Sequence, residues 1–314
     1  MNDRISVVVL THNRLPEVMR TVSHLVSLPE APPIIVADNG STDGTATALR
    51  QRFPGVQVVE CGANLGAAGR NRAAKLAKTD YIAFSDDDTE WEAGALDEAV
   101  RLLDSAPRVA VLSGRVLVGE SGQLDPTCRL MRASPLDRAG LPGPALVGYM
   151  AGACVFRSAV FRQMGGYEPR LFIGGEEALV SLDLLDAGYA IVYGDSVIVT
   201  HRPSAARDAA LRRRMLARNA AVIAWLRLPR GEALSASVRA LIELAHEGQF
   251  CRHAAALLRD IGWAVRRRRP VGPGVVQMRE RIRQAQREAS GNETALQRVQ
   301  AVRRSIWRTS ERRQ

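Results

Sequence analysis

The sequence predicts an α/β fold: a doubly wound, mostly parallel sheet followed by a helical C-terminal extension. Three observations carry the prediction. Short, β-branched apolar runs alternate with helix-length segments over the first 113 residues. The polar residues of that stretch gather where the apolar runs end. From residue 205 onward the pattern is helical and rich in arginine. Regular strand–helix alternation is what the right-handed crossovers of a parallel sheet require.

The elements follow in order. Ile5–Leu10 is a continuous apolar run, the pattern of a parallel strand buried on both faces. In Leu15–Leu28, Val18, Val22 and Leu25 fall at helical spacing, and Pro16 is tolerated in a first turn. Ile34–Ala37 is the second strand, and Asp43 can cap a helix over Gly44–Phe53. Val56–Val59 is the third strand and Gly66–Ala77 a helix of small residues. Tyr81–Phe84 is the fourth strand, running into Ser85-Asp86-Asp87-Asp88. A helix over Gly94–Leu103 and a strand over Val109–Ser113 complete the alternation. Residues 120–145, rich in Gly, Pro, Ser and Asp, read as an irregular excursion of the kind that forms lids. Gly148–Phe156 is small and apolar. Glu176–Ala187 is helical, with Gly188 as its stop. Ala190–Tyr193 and Val197–Thr200 read as two short strands. Helices follow over Arg207–Leu226, Leu234–His246, Arg252–Arg268 and Val276–Ala289, with a frayed end.

Composition narrows the function classes. The 314 residues are 46% hydrophobic and 24% charged, which excludes wholesale disorder. Cys61, Cys128, Cys154 and Cys251 show no CxxC spacing, which argues against a disulfide scaffold and a thiolate zinc site. No apolar run reaches the roughly 18 residues of a membrane span. MNDRISVVVLTHNR lacks the long apolar core of a signal peptide, so the expected location is cytoplasmic. The net charge of +10 is unevenly placed. Residues 201–314 carry 25 arginines against 9 acids, while residues 1–200 carry 18 basic and 24 acidic side chains.

In open α/β sheets, ligands bind beyond the carboxyl ends of the strands. Four successive strand ends here are polar: Thr11-His12-Asn13-Arg14, Asp38-Asn39-Gly40-Ser41, Asn64-Leu65-Gly66 through Arg70, and Asp86-Asp87-Asp88. One such end is ordinary turn chemistry; four along one crevice make a site. Three adjacent carboxylates repel one another unless a cation offsets them, and hard oxygen ligands suit Mg2+ or Mn2+. Asp86 and Asp88, two residues apart after a strand, point the same way. A solvated acidic turn is the plain alternative.

The segments VVVLTHNR, VADNGSTDGT, NLGAAGRNRA and FSDDD resemble the sugar-nucleotide-binding half of family 2 inverting glycosyltransferases of the GT-A fold. The likeness continues through Met150-Ala151-Gly152-Ala153 and Gly165-Gly166-Tyr167 to Gly174-Gly175-Glu176-Glu177. It implies a catalytic domain over 1–203, nucleotide-sugar binding in about 1–115 and acceptor binding in about 116–203, then a basic helical extension over 204–314. The resemblance puts Thr11, Asn13 and Arg14 against the nucleotide, and Asp38, Asn39 and Ser41 near base and ribose. It puts Asn64, Gly66 and Arg70 along the nucleotide pocket, with Gly152 and Ala153 among the substrate-binding residues. Asp86, Asp87 and Asp88 match the DXD element that holds a metal on the donor diphosphate. Family members often read Glu-Asp where this chain has Glu176-Glu177. Glu177 then stands at the position of the general base, with Glu176 as the alternative. His201 stands where several GT-A enzymes place a metal or diphosphate ligand. Trp91 reads either as an acceptor-stacking floor or as packing for the next helix.

The extension admits two readings. Arginines 207, 212, 213, 214 and 218 precede an Ala-Trp-rich segment around Trp225, the pattern of a basic helix on an anionic membrane surface. The other reading is a solvated helical bundle covering the sheet edge or joining an oligomer. No zinc motif or aromatic ribonucleoprotein stretch points to nucleic acid. The expected activity is metal-dependent transfer of a sugar, with inversion, from a nucleoside diphosphate donor to a hydroxyl of a glycan or lipid-linked acceptor, as in cell-surface glycan synthesis. The membrane reading adds a peripheral seat on the inner face. A nucleotidyltransferase is the rival enzyme, but THNR is not its Gly-rich phosphate loop. A non-catalytic sugar-nucleotide or membrane-surface binding protein is the rival of another class, and the acidic triplet with Glu177 argues against it.

Overall fold

A computed structural model of the chain describes residues 3–203, 209–245 and 250–289. The first elements are β1 (Ile5–Thr11), α1 (Leu15–Ser27), β2 (Ile34–Asp38), α2 (Thr45–Arg52) and β3 (Gln57–Glu60). Then come α3 (Gly69–Ala74), β4 (Tyr81–Asp86), β5 (Thr89–Trp91), α4 (Ala95–Asp104) and β6 (Val109–Val118). The stretch expected to be irregular contains β7 (Gln123–Leu124) and α5 (Pro126–Arg132), the latter capped by Asp125, which accepts from Thr127 N at 2.7 Å. β8 (Ala153–Arg157), α6 (Ser158–Gln163), α7 (Glu176–Asp186) and β9 (Ala190–His201) follow. The extension forms α8 (Ala209–Arg227), α9 (Arg230–Ala245), α10 (Phe250–Arg266) and a further helical stretch over 273–289. Arg207 and His246, which bounded two of the expected helices, and the expected frayed end lie outside the described residues.

The described strands form one nine-stranded sheet, ordered β3-β2-β1-β4-β8-β6-β9-β5, with β7 beside β6. β1 runs parallel to β2 and β4, and β2 parallel to β3. This is the alternation the sequence announces. Its core is simple: Ile5, Val7, Val8 and Val9 of β1 and Val18, Val22 and Leu25 of α1 are fully buried. Each contributes about 1.5–3 kcal/mol of apolar burial. Beyond β4 the sheet departs from the mostly parallel expectation. β8 pairs antiparallel with both β4 and β6, and β5 antiparallel with β9, while β6 and β9 are parallel. β8 follows an irregular connection rather than a crossover helix, so it is free to enter antiparallel. An edge-to-face aromatic cluster packs there: Phe84 lies 5.8 Å from Phe156 and 6.0 Å from Tyr167, ring centre to ring centre.

The two short strands expected over 190–200 are one strand, β9. Its register against β6 slips between Gly114 and Arg115, so that Gly114 faces Gly194 and Arg115 faces Ile198. The slip is a β-bulge, which bends the strand and lets it continue to His201.

Candidate active site

Register brings the strand ends together. Thr11 pairs with Asp38, and Leu10 with Asp86, so the carboxyl ends of β1, β2 and β4 share one edge of the sheet. β5 then adds what sequence spacing does not disclose: Thr89 pairs with His201 across β5 and β9. Asp88, one residue earlier, therefore meets an imidazole 113 positions away. Asp88 Oδ1 lies 3.4 Å from His201 Nε2, and the Asp88 carboxylate is almost wholly enclosed. Arg14 Nη1 bridges Asp87 Oδ1 at 3.0 Å and Asp88 Oδ2 at 3.3 Å. Thr11 Oγ1 donates to Asp87 Oδ2 at 2.9 Å, and Thr21 Oγ1 donates to the Asp87 carbonyl at 2.7 Å. Burial pushes the Asp87 carboxyl up to about 7; Asp86 and Asp88 add to the rise, and Arg14 and Thr11 oppose it.

Arg70 links the two halves of the site. It is buried, ion-pairs with Asp86, and its guanidinium lies 5.9 Å from the centre of the Tyr167 ring. Burial opposes its charge, yet Asp86, Tyr167 and Glu176 hold its pKa above the usual value. Arg70 thus pairs directly with the Asp triplet, and its charge favours the ionised form of both glutamates. Gly152 presses against Asp86: a Cβ there would come within 2.3 Å of Asp86 Oδ2, so any side chain would displace the carboxylate. Glu176 is buried, and its Oε2 has no hydrogen-bond partner. Glu177 is half-buried at the first turn of α7. Burial raises the Glu176 carboxyl. Burial, then the neighbouring Glu176, pushes Glu177 up to about 7, with Arg70 and Arg212 pulling down.

The other expected contacts divide. Asp38 is buried and Oδ1 accepts from Ser41 N at 3.1 Å. Asn13 Oδ1 accepts from Thr42 N at 2.7 Å, while Asn13 N donates to Ser41 Oγ at 2.9 Å. These pairs lace the β1 and β2 loops together. Asn39 is buried, donates to Asn64 Oδ1 at 3.1 Å and the Gly66 carbonyl at 2.9 Å, and accepts from Leu65 N. Asn39 and Thr11 thus shape the site from within rather than line it. Ala153 is buried where β8 begins. Trp91 is corrected: it is fully buried in the hydrophobic core and presents no ring face to a sugar. Its backbone carbonyl pairs with His24 Nε2 at 2.8 Å. β5, a three-residue strand too short to leave a periodic signal, turns the ring inward.

Sequence reasoning missed the part of the site supplied by the extension. The loop before α7 carries positive φ at Phe172 (59°), Gly174 (92°) and Gly175 (79°). Asn219 of α8 is fully buried beneath it. Its Nδ2 donates to the carbonyls of Leu171 at 2.8 Å, Ile173 at 3.1 Å and Gly174 at 2.7 Å, and its Oδ1 accepts from Arg218 Nη1 at 2.6 Å. Arg218 also pairs with Asp260 of α10 at 2.7 Å, and Arg170 lies 4.9 Å above the Trp263 ring. On the other side, Ala67 N donates to the Phe172 carbonyl at 2.6 Å. That approach requires glycine at 66, where a Cβ would come within 2.0 Å of the Phe172 oxygen. An Arg-rich helix hides such roles, because a lone Asn within it reads as one more exposed polar side chain.

The helix around Trp225, expected to lie on a membrane, is otherwise employed. Ala221, Val222, Ile223, Ala224 and Leu226 are buried, and Trp225 Nε1 donates to Ser237 Oγ of α9 at 2.9 Å. Its apolar side is consumed by packing.

For a divalent cation, the described residues hold no cluster of three or more His, Cys, Asp or Glu side chains. The Asp88–His201 pair nevertheless fits a cation that also takes donor phosphates and water. The two ligand atoms already face each other, and carboxylate oxygen with imidazole nitrogen is a donor set that a divalent ion such as Mn2+ accepts. Asp86, held by Arg70, is directed elsewhere.

Residues 6–165 match the sequence profile of Glycosyl transferase family 2. The chain is 29% identical over 249 residues to N-acetylglucosaminyl-diphospho-decaprenol L-rhamnosyltransferase of Mycobacterium tuberculosis, an alignment covering 67% of this chain and 80% of that protein. It is 27% identical over 208 residues to pre-mycofactocin glycosyltransferase of the same organism, covering 63% of this chain and 42% of that one. Its fold is similar to that of mannosyltransferase PcManGT from Pyrobaculum calidifontis in complex with GDP-Man and Mn2+. That likeness has a TM-score of 0.56 and 18% identity, and covers 94% of this chain and 81% of the other. It is similar also to S. aureus TarS 1-349 in complex with UDP-GlcNAc, with a TM-score of 0.54 and 15% identity, covering 83% and 81%.

Proposed function

The chain belongs to glycosyl transferase family 2 and is a glycosyltransferase of the GT-A fold; from that premise we propose that it transfers a sugar, with inversion, from a nucleoside diphosphate to a hydroxyl of a polyprenyl-diphosphate-linked glycan. The product would be a precursor of a cell-surface glycan. The observation that carries the reading is the gathering of Arg14, Arg70, the Asp triplet and His201 at one edge of the sheet. The named substrate of the rhamnosyltransferase relative supports the acceptor class.

Asp88 and His201 would hold the cation, which offsets charge on the departing diphosphate. Arg14 and Thr11 orient Asp87, and Arg70 orients Asp86 beside Gly152. Glu177 is the general base: it is the less enclosed of the pair, and a carboxyl near 7 is matched to accepting a hydroxyl proton at neutral pH. It takes the acceptor proton as the hydroxyl oxygen bonds to the anomeric carbon from the face opposite the diphosphate. The sugar–diphosphate bond breaks, and its electron pair leaves with the phosphate oxygen.

The acceptor class implies a membrane surface, and α10 rather than α8 supports the docking role. Arg252, Arg259 and Arg266 recur every seven residues on its outer side. Beside them run Ala255, Leu258 and Val265, the last two 64% and 46% exposed. Leu234, Val238 and Ile242 of α9, spaced by four, are likewise exposed. Exposed apolar side chains flanked by arginine suit an anionic lipid surface. No described helix is long and apolar enough to cross a membrane.

The test is a thermal-shift panel of UDP-, GDP- and dTDP-sugars with Mn2+, followed by transfer to N-acetylglucosaminyl-diphosphate-polyprenol. One nucleotide class raises the melting temperature only with the metal, since ligand binding stabilises by mass action. Absence of any shift and of any transfer across the panel overturns the proposal.

A further inference from the structure

We infer that Asn219 of α8 is a positioning residue for catalysis, holding the strained loop 171–175 so that α7 presents Glu177 to the acceptor. The inference rests on the reading of Glu177 as the base. Three residues of that loop sit at positive φ, and one of them, Phe172, is not glycine. The glycines accept positive φ freely, but at Phe172 such a backbone persists only where its surroundings over-determine it. Here the determinants come from opposite sides. Ala67 N, in the turn that follows the Asn64–Gly66 loop, grips the Phe172 carbonyl. Asn219, with no exposed surface, grips the carbonyls on both sides of Phe172 and that of Gly174. Leu216, one turn earlier on α8, closes over Gly174: a Cβ on that glycine would lie 3.2 Å from Leu216 Cγ. Glu176 begins α7 two residues after Gly174, so a shift of the loop moves both glutamates. Asn219 itself is fixed by Arg218, and Arg218 by Asp260 of α10. The helical extension thereby acts on the geometry of the reaction through one amide.

The experiment compares the full-length chain with Asn219→Leu, which keeps the volume and removes the donors, and with Glu177→Gln. Donor affinity is measured by calorimetry with Mn2+ and the nucleotide sugar that shifts the melt. Turnover is measured as transfer to N-acetylglucosaminyl-diphosphate-polyprenol across pH. The expected result for Asn219→Leu is unchanged donor affinity, turnover at least tenfold lower, and a displaced ionisation limb in the pH profile. The limb moves because Glu177 shifts relative to Glu176, Arg70 and Arg212, the charged groups that set its affinity for protons. A loss of turnover that only tracks the folded fraction, with the limb in place, overturns the inference. Gly174→Ala strains the same loop, at a φ of 92° and with its methyl against Leu216 of α8, while leaving the Asn219 amide in place, so it reports if Asn219→Leu does not fold; its expected effect has the same direction, and wild-type turnover with an unmoved limb is the contrary result. The two readings fail separately. If Glu177→Gln retains full activity, the base assignment falls; if Glu177→Gln is inactive while Asn219→Leu matches wild type, only the positioning role falls.

Discussion

Glu177→Gln is expected to make the protein more stable and far less active, and the gain depends on pH. Burial and the adjacent Glu176 push the Glu177 carboxyl from its ordinary 4.5 to about 7, so the fold favours the protonated form. A folded-state pKa above the unfolded one means that stability is whole below 4.5. It is lost as pH rises from there through 7. At 1.36 kcal/mol for each pKa unit, the ionised carboxylate costs about 3 kcal/mol above pH 7. Glutamine keeps the shape and never ionises. Thermal melts of both proteins at about pH 5 and about pH 8 read the difference. At the higher pH the variant gains roughly 6 °C or more, and at the lower pH only a small part of that, by the usual 2–4 °C per kcal/mol for a chain of this class. Transfer falls by roughly a hundredfold or more above pH 7, where the wild-type carboxylate is ionised, and the gap narrows as pH falls below 7 and the wild-type base becomes protonated. Equal stability differences at the two pH values would refute the argument, because the enclosed charge would then carry no cost. If Glu176→Gln shows the activity loss instead, the base lies one residue earlier.

Three further outcomes follow from the same geometry. Asp88→Ala and His201→Ala each abolish the metal-dependent part of the donor-induced melting shift, and full activity in EDTA would sink the metal assignment. Gly66→Ala drives a methyl into the Phe172 carbonyl and destabilises by roughly 1–3 kcal/mol or more, as overpacking does, with denaturant melts as the measure. Replacing Arg252, Arg259 and Arg266 together by Glu removes flotation with anionic vesicles while leaving donor binding unchanged. In wild type, flotation weakens as salt rises, because exposed charges are screened beyond about 8–10 Å; indifference of wild type to anionic vesicles at low salt would show that these arginines serve another partner.

The sequence by itself determined the parallel half of the sheet, β1 to β4. Apolar runs such as ISVVVL are strands wherever they are buried, and parallel strands in register bring their ends to one edge without further information. Thr11, Asp38 and Asp86 were therefore legible as neighbours, and local polarity marked the crevice. Tertiary structure decided what depends on pairing between distant segments. The meeting of Asp88 with His201 rests on the register of β5 against β9, a three-residue strand against a bulged one, and neither leaves a periodic trace. The same pairing buried Trp91, which a sequence reading leaves free to face a sugar. The roles of Thr11 and Asn39 turned inward because their partners, Asp87 and Asn64, satisfy them before any ligand arrives. Asn219 lies farthest from what sequence could disclose. Its significance comes from three carbonyls at residues 171–174, turned toward it by a strained backbone, and a backbone direction is set by packing rather than by any one side chain.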